Sequence, residues 1–121
     1  MVAAATVACD APDPRSDDLA RGELLYDRHC VECHGGATGG SISDIPPRHN
    51  AQGHTWHHAD CDLIDMVIDG LPPREGYPIM PAFGDQLSVD EVEAILAYIK
   101  TWWEPEQREA QAEITEVMCN G

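Results

Sequence analysis

The chain has 121 residues, and its 22 acidic and 7 basic side chains give a net charge of −15. That length supports one compact domain, the charge repels a phosphate backbone and excludes nucleic acid as a partner, and no apolar run approaches the ~20 residues that span a bilayer. A single Phe and 6% aromatic residues make a thin core, so a buried apolar group from outside the chain would have to fill it. The carboxylates are scattered rather than blocked. Such a field suits a fast, salt-sensitive encounter with a positively charged partner, and equally the plain solvated surface of a halotolerant or acid-stable protein.

The opening stretch, residues 1–16, reads as an export-signal remnant or N-terminal linker. Met1 to Asp10 is too short and too uncharged to be a full secretory signal but looks like the end of one. Ala8 before Cys9 is similar to a bacterial lipoprotein cleavage site, although Thr6 is unfavourable at the usual aliphatic position. A lipid anchor at Cys9, a trimmed export signal and a cloning remnant all stay open. Ser16 is predicted to cap a helix whose first turn carries Asp17 and Asp18, at the positive end of the dipole. Leu19, Gly22 and Tyr26 share a face of that helix. Gly22 costs helix propensity, which points to close packing there.

The helix runs into Cys30-Val31-Glu32-Cys33-His34. Two thiols spaced C-x-x-C and followed at once by His form the c-type haem attachment signature: the thiols bond the haem edge and the imidazole binds iron. A zinc half-site is the weaker reading, because no second C-x-x-C occurs. Residues 35–41 are Gly-rich and cannot hold a helix. They lack the Lys and following helix of a phosphate-binding loop. Ile45-Pro46-Pro47-Arg48 comes next, then a stretch with His49, His54, His57 and His58.

Asp60 is predicted to cap a helix through Asp69, ended by Gly70 in a left-handed conformation. Leu63, Ile64, Val67 and Ile68 form its apolar face. Residues 71–81 contain Pro72, Pro73, Pro78 and Pro81 and read as a stiff extended loop presenting Met80. Ser88-Val89-Asp90-Glu91 is a capping box. It opens a helix with a stripe of Val89, Val92, Leu96, Ile99 and Trp103, flanked by Ile95, Tyr98 and Trp102. Pro105 suits the first turn of a further helix. In residues 106–118 a narrow face of Ala110, Ile114 and Val117 is predicted to dock on the domain or on a partner.

From Asp17 to Trp103 the chain resembles a class I cytochrome c of the small bacterial monohaem kind. The resemblance rests on the N-terminal helix running into Cys30-Val31-Glu32-Cys33-His34, the Pro-containing loop, and Met80-Pro81-Ala82-Phe83-Gly84 before a final helix. His54-Thr55-Trp56-His57-His58 and Ala97-Tyr98-Ile99-Lys100-Thr101-Trp102-Trp103 are similar to one subgroup. The resemblance implies an all-α cytochrome c fold, with three to four core helices around one covalent haem c per chain, plus a C-terminal extra helix. Residues 17–104 would form the domain and 105–121 the extension. It also implies a close crossing at Gly22 and Tyr26, and a carbonyl from Pro46 or Pro47 accepting the other ring N–H of His34.

Cys30 and Cys33 are then the expected haem attachments, His34 and Met80 the iron ligands, and Arg48 and Trp56 the propionate contacts, with Arg74 beside them. Met80 is favoured over Met66, which reads as gap-filling core. Ligation by one of His49, His54, His57, His58 or Cys61, or a second metal among them, is the rival. Of the five cysteines, Cys9, Cys61 and Cys119 remain after the haem pair. Cys61 and Cys119 are either a disulfide stapling the tail or two free thiols.

The function this implies is single-electron shuttling, without catalysis, between respiratory or photosynthetic partners with basic docking surfaces. The setting is the periplasm or the extracytoplasmic membrane face of a bacterial-type cell, with membrane contact only through Cys9. The alternatives are a haem enzyme or gas sensor with a displaceable sixth ligand, and a fixed haem subunit of a membrane complex.

Overall fold

A computed structural model describes residues 14–39, 46–76 and 79–120. Cys9 and its lipidation signal, the end of the glycine run, Ile45 and Pro78 lie outside the described residues. The chain forms α1 (Pro14–His29), the single turn α2 (Val31–His34), a 3-10 turn (Thr55–His57), α3 (Asp60–Asp69), α4 (Val89–Lys100) and α5 (Pro105–Asn120). Among the described residues, pairing outside helices is confined to isolated bridges such as Leu71 with Met80. The all-α expectation is met, and so is the extra C-terminal helix that Pro105 opens.

Helix α1 starts at Pro14, so Ser16 lies inside its first turn rather than capping it. A proline there loses nothing, because first-turn N–H groups have no intrahelical partner. The α1/α4 crossing is the most extensive helix–helix contact, and Gly22 is what permits it. A Cβ on Gly22 would lie 2.0 Å from the carbonyl oxygen of Ala94 and 3.1 Å from Cβ of Tyr98. The close crossing implied by the family resemblance is therefore present, with Ala94 as its unforeseen partner.

Helix α4 opens on the Ser88/Glu91 capping box. Val92, Ile95, Leu96 and Ile99 from α4, Trp103 just beyond it, Tyr26 and Leu63 make the buried core. Val89 is 49% exposed, so the stripe begins one turn later than its periodicity predicts.

Helix α3 is capped differently from expectation. Its N-cap is Ala59, which supplies no side-chain bond, and the capping comes from α5. The Asp60 N–H donates to Thr115 Oγ1 at 3.0 Å and the Cys61 N–H to Cys119 Sγ at 3.2 Å. The Asp60 carboxylate instead accepts from Lys100 Nζ at 2.9 Å and Gln111 Nε2 at 2.7 Å. Gly70 does end α3, but with φ 73° and ψ −179°. That is the glycine-only extended region rather than the left-handed helical one.

Helix α5 docks through a polar stripe. Gln107, Gln111, Thr115 and Cys119 recur every fourth residue and so share a face. Gln107 Nε2 donates to the Ala51 carbonyl at 2.9 Å, Gln111 Nε2 also donates to the His58 carbonyl at 3.0 Å, and Cys119 forms a disulfide with Cys61. Of the expected Ala110/Ile114/Val117 face, Ala110 and Ile114 are half-buried while Val117 is 70% exposed, so the face is only partly covered by the domain. The free-thiol alternative for Cys61 and Cys119 is likewise overturned.

Candidate functional site

Cys30, Cys33 and His34 stand at the junction of α1 and α2. The Cys30 N–H still donates to the Tyr26 carbonyl at 2.8 Å, and the His34 N–H donates to the Cys30 carbonyl at 3.0 Å. The motif is thus a helical continuation that keeps both sulfurs and the imidazole near one turn. Gly35 stops it with φ 76°, and its carbonyl accepts the hydroxyl of the buried Tyr26. Burial, then the charges of Cys30 and Tyr98, hold that phenol above its ordinary range, so it stays a donor. Cys30 and Cys33 are free thiols, half-buried and exposed respectively. Burial, reinforced by the charge of Cys33, pushes the Cys30 thiol up to about 11.

His34 is buried, with Nδ1 at 2.7 Å from the Pro47 carbonyl oxygen. A carbonyl can only accept, so Nδ1 carries the proton and Nε2 keeps its lone pair. Burial lowers the pKa of His34, partly offset by the Pro47 bond, and the neutral form required of a metal ligand is favoured. Pro47, rather than Pro46, is the partner.

The segment carrying Pro47 continues into His49, whose ring lies 4.2 Å from that of His34 between centroids. Nδ1 of His49 shares a 2.6 Å hydrogen bond with Thr55 Oγ1, and its carbonyl accepts from Trp103 Nε1 at 2.8 Å. Burial, then the neighbouring His34, pushes His49 down to about 3. Asn50, 3% exposed, donates to the Ala37 carbonyl at 3.1 Å and bridges the segment to the turn after the motif.

Met80 is half-buried at the end of a loop that returns to α3. The Leu71 N–H donates to the Met80 carbonyl at 2.9 Å, the Phe83 N–H to Val67 at 2.9 Å, and the Gly84 N–H to Ile68 at 3.0 Å. A Cβ on Gly70 would lie 2.7 Å from the Met80 carbonyl oxygen. Met66 is half-buried within α3.

Trp56 packs against the core and stacks on His57 at 3.8 Å between centroids. Arg48 follows Pro47 directly and is half-buried. The histidines do not converge: among the described residues no group of three His, Cys, Asp or Glu side chains is arranged to hold a metal ion. His54 and His57 face each other at 5.4 Å while His49 is turned to His34.

A family model described as "Cytochrome C oxidase, cbb3-type, subunit III" matches residues 17–99. The chain belongs to this family of c-type cytochromes. A curated relative, "Cytochrome c6" from Chlorolobion braunii, is 29% identical over 90 residues, covering 68% of this chain and 88% of the relative. No solved structure matches. The cytochrome carries covalently bound haem c and is an electron carrier. Its residues fit that group. Cys30 and Cys33 lie on one helix end, outside the disulfide, and the Pro47 bond to Nδ1 of His34 leaves Nε2 with its lone pair. Sequence reasoning placed His49 only among the rival metal ligands and gave Thr55 and Gln111 no role; for Gln111, the fourfold spacing of Gln107, Gln111, Thr115 and Cys119 offered a signal.

Proposed function

We propose that this cytochrome is a single-electron shuttle in which Cys30 and Cys33 would hold haem c through thioether bonds, with His34 and Met80 as the protein ligands to iron. The observation that carries this reading is the His34–Pro47 hydrogen bond. It orients the imidazole, fixes its tautomer and raises the basicity of Nε2. When bound, haem c supplies a one-electron couple between ferrous and ferric iron. His/Met ligation raises the potential and leaves no open position for a substrate.

Met80 suits the second ligand role because its carbonyl is tied to α3 through Leu71. The thioether is then presented by a backbone already ordered, and little entropy is lost on ligation. Arg48 and Trp56 are proposed to meet the propionates with their N–H donors. The partner is a redox protein with a basic docking surface, met at the extracytoplasmic face, and the charge of −15 would steer the encounter. No helix among the described residues is long and apolar enough to cross a membrane. A fixed place in a membrane electron-transfer complex, through Cys9 or α5, is a second reading, favoured by the description of the matching family.

Absorption spectra of the oxidised and reduced protein test the ligation. A weak long-wavelength band from the Met–ferric iron bond, with a reduced spectrum that carbon monoxide leaves alone, is expected in the wild type and lost in Met80→Ala. A wild type that binds carbon monoxide at once would instead be an enzyme or sensor. Retention of the partner through high salt would favour the fixed subunit over the shuttle.

A further inference from the structure

We infer that His49 is a positioning residue that sets the ring plane of His34, with Thr55 holding His49 in place. The inference rests on His34 being the iron ligand. A single hydrogen bond from Nδ1 to the Pro47 carbonyl anchors one edge of the imidazole, but the ring can still pivot about that bond. The His49 ring lies over it at 4.2 Å and 32°, which closes off one direction of pivoting. Two contacts of the His34 ring therefore come from one short segment, Pro47 at the edge and His49 on the face.

His49 is itself held at three points. Thr55 Oγ1 binds Nδ1 at 2.6 Å and fixes the rotation of the ring. Trp103 Nε1 binds the main-chain carbonyl at 2.8 Å and fixes the backbone. The Tyr26 ring stands edge-on at 6.4 Å. A side chain with no positioning role has no need of a hydrogen-bonding ring here, because an aliphatic residue would fill the same space without needing a partner for its polar atoms. Outer partners of a metal-binding imidazole orient it and tune the metal, and His49 extends that outer set from the edge of the ring to its face.

The test uses the full-length holoprotein as wild type, His49→Leu, His49→Phe and Thr55→Val. The readouts are the order of the hyperfine-shifted haem methyl resonances in the ferric proton spectrum, which follows the orientation of the protein ligands to iron, the imidazole plane among them, and the reduction potential. His49→Leu is expected to reorder the methyl resonances and move the potential. His49→Phe, which keeps a flat ring, should restore the wild-type order. Thr55→Val should broaden or partly reorder it, and it remains informative if His49→Leu does not fold. A wild-type order and potential in both His49→Leu and Thr55→Val would overturn the inference while leaving the electron-carrier reading intact. A wild type with no hyperfine-shifted signals from the His34 imidazole would overturn both.

Discussion

Residues 46–58, which carry Pro47 and His49, and residues 79–84, which carry Met80, both fold back on the body of the cytochrome, but they are held by different means. The first segment is gripped by side chains from beyond α4. Trp103 takes the carbonyl of His49, Gln107 that of Ala51 and Gln111 that of His58, and the Cys61–Cys119 disulfide closes the clamp just past its end. The second is held by main-chain bonds to the last turn of α3, and its first residue Ile79 and its neighbour Leu71 are 62% and 42% exposed. Regions secured by few buried contacts open at lower free energy than those built into a core. The difference places rigidity on the His34 side and yielding on the Met80 side, so under the proposed His34/Met80 ligation a small molecule competing for iron is expected to displace Met80 and leave His34 bound.

The largest effect should come from the clamp. Cys61 and Cys119 are separated by 58 positions, and in the chain-entropy picture replacing both by Ser costs about 4 kcal/mol, measurable as a fall in the urea midpoint. On the Met80 side, Gly70→Ala forces a Cβ against the Met80 carbonyl at a positive φ and should cost about 3 kcal/mol. It should also weaken the Met–iron band, which the cysteine variant leaves in place. Gln111→Ala strands the His58 carbonyl and one Asp60 oxygen, for about 2 kcal/mol. Amide exchange across residues 49–58 should quicken while residues 80–84 stay unchanged. Equal quickening in both would dissolve the distinction.

Ser88→Ala touches neither segment and serves as the control, at about 1 kcal/mol. The Glu91 carboxyl beside it is held below its ordinary range, first by the Ser88 N–H and then by the Ser88 hydroxyl and Arg21. Because its folded pKa is lowered, its contribution is present above the ordinary carboxylate value and disappears as pH falls through the lowered one. An acid titration of stability in Glu91→Gln should lack that step.

The haem motif was legible because covalent chemistry dictates its spacing. The capping box at Ser88 was legible because its two bonds lie within four residues. Gly22 was legible as a glycine in the wrong place for a helix and through the family resemblance, but Ala94, its partner across the crossing, carried no signal. The docking of α5 was foreseen but its polar bonds were not, since periodicity looks for apolar residues and found Ala110, Ile114 and Val117. The helix instead attaches through Gln, Thr and Cys side chains to carbonyls and N–H groups of an irregular segment, which leave no imprint on a hydrophobic pattern. Asp60 was assigned a cap that Thr115 supplies from 55 positions away. His49 belonged to a histidine cluster in the sequence and became a neighbour of His34 only through the path of the segment between Pro47 and Thr55.

The disulfide also bears on how the cytochrome is made. Under the proposed attachment, Cys30 and Cys33 stay thiols until haem is bound while Cys61 and Cys119 are oxidised to a disulfide, so one chain needs two opposite redox outcomes. Thiol pairing within a disordered chain would not tell these cysteines apart. The hydrogen bonds of Gln107, Gln111 and Thr115 bring α5 onto α3 and leave the Cys119 and Cys61 Cα atoms 5.9 Å apart. Mass mapping of oxidised, haem-free protein should find this pair and no linkage to Cys30 or Cys33. The polar stripe that looks like an anchor therefore also decides which sulfurs meet, setting Cys61 against Cys119 and apart from Cys30 and Cys33.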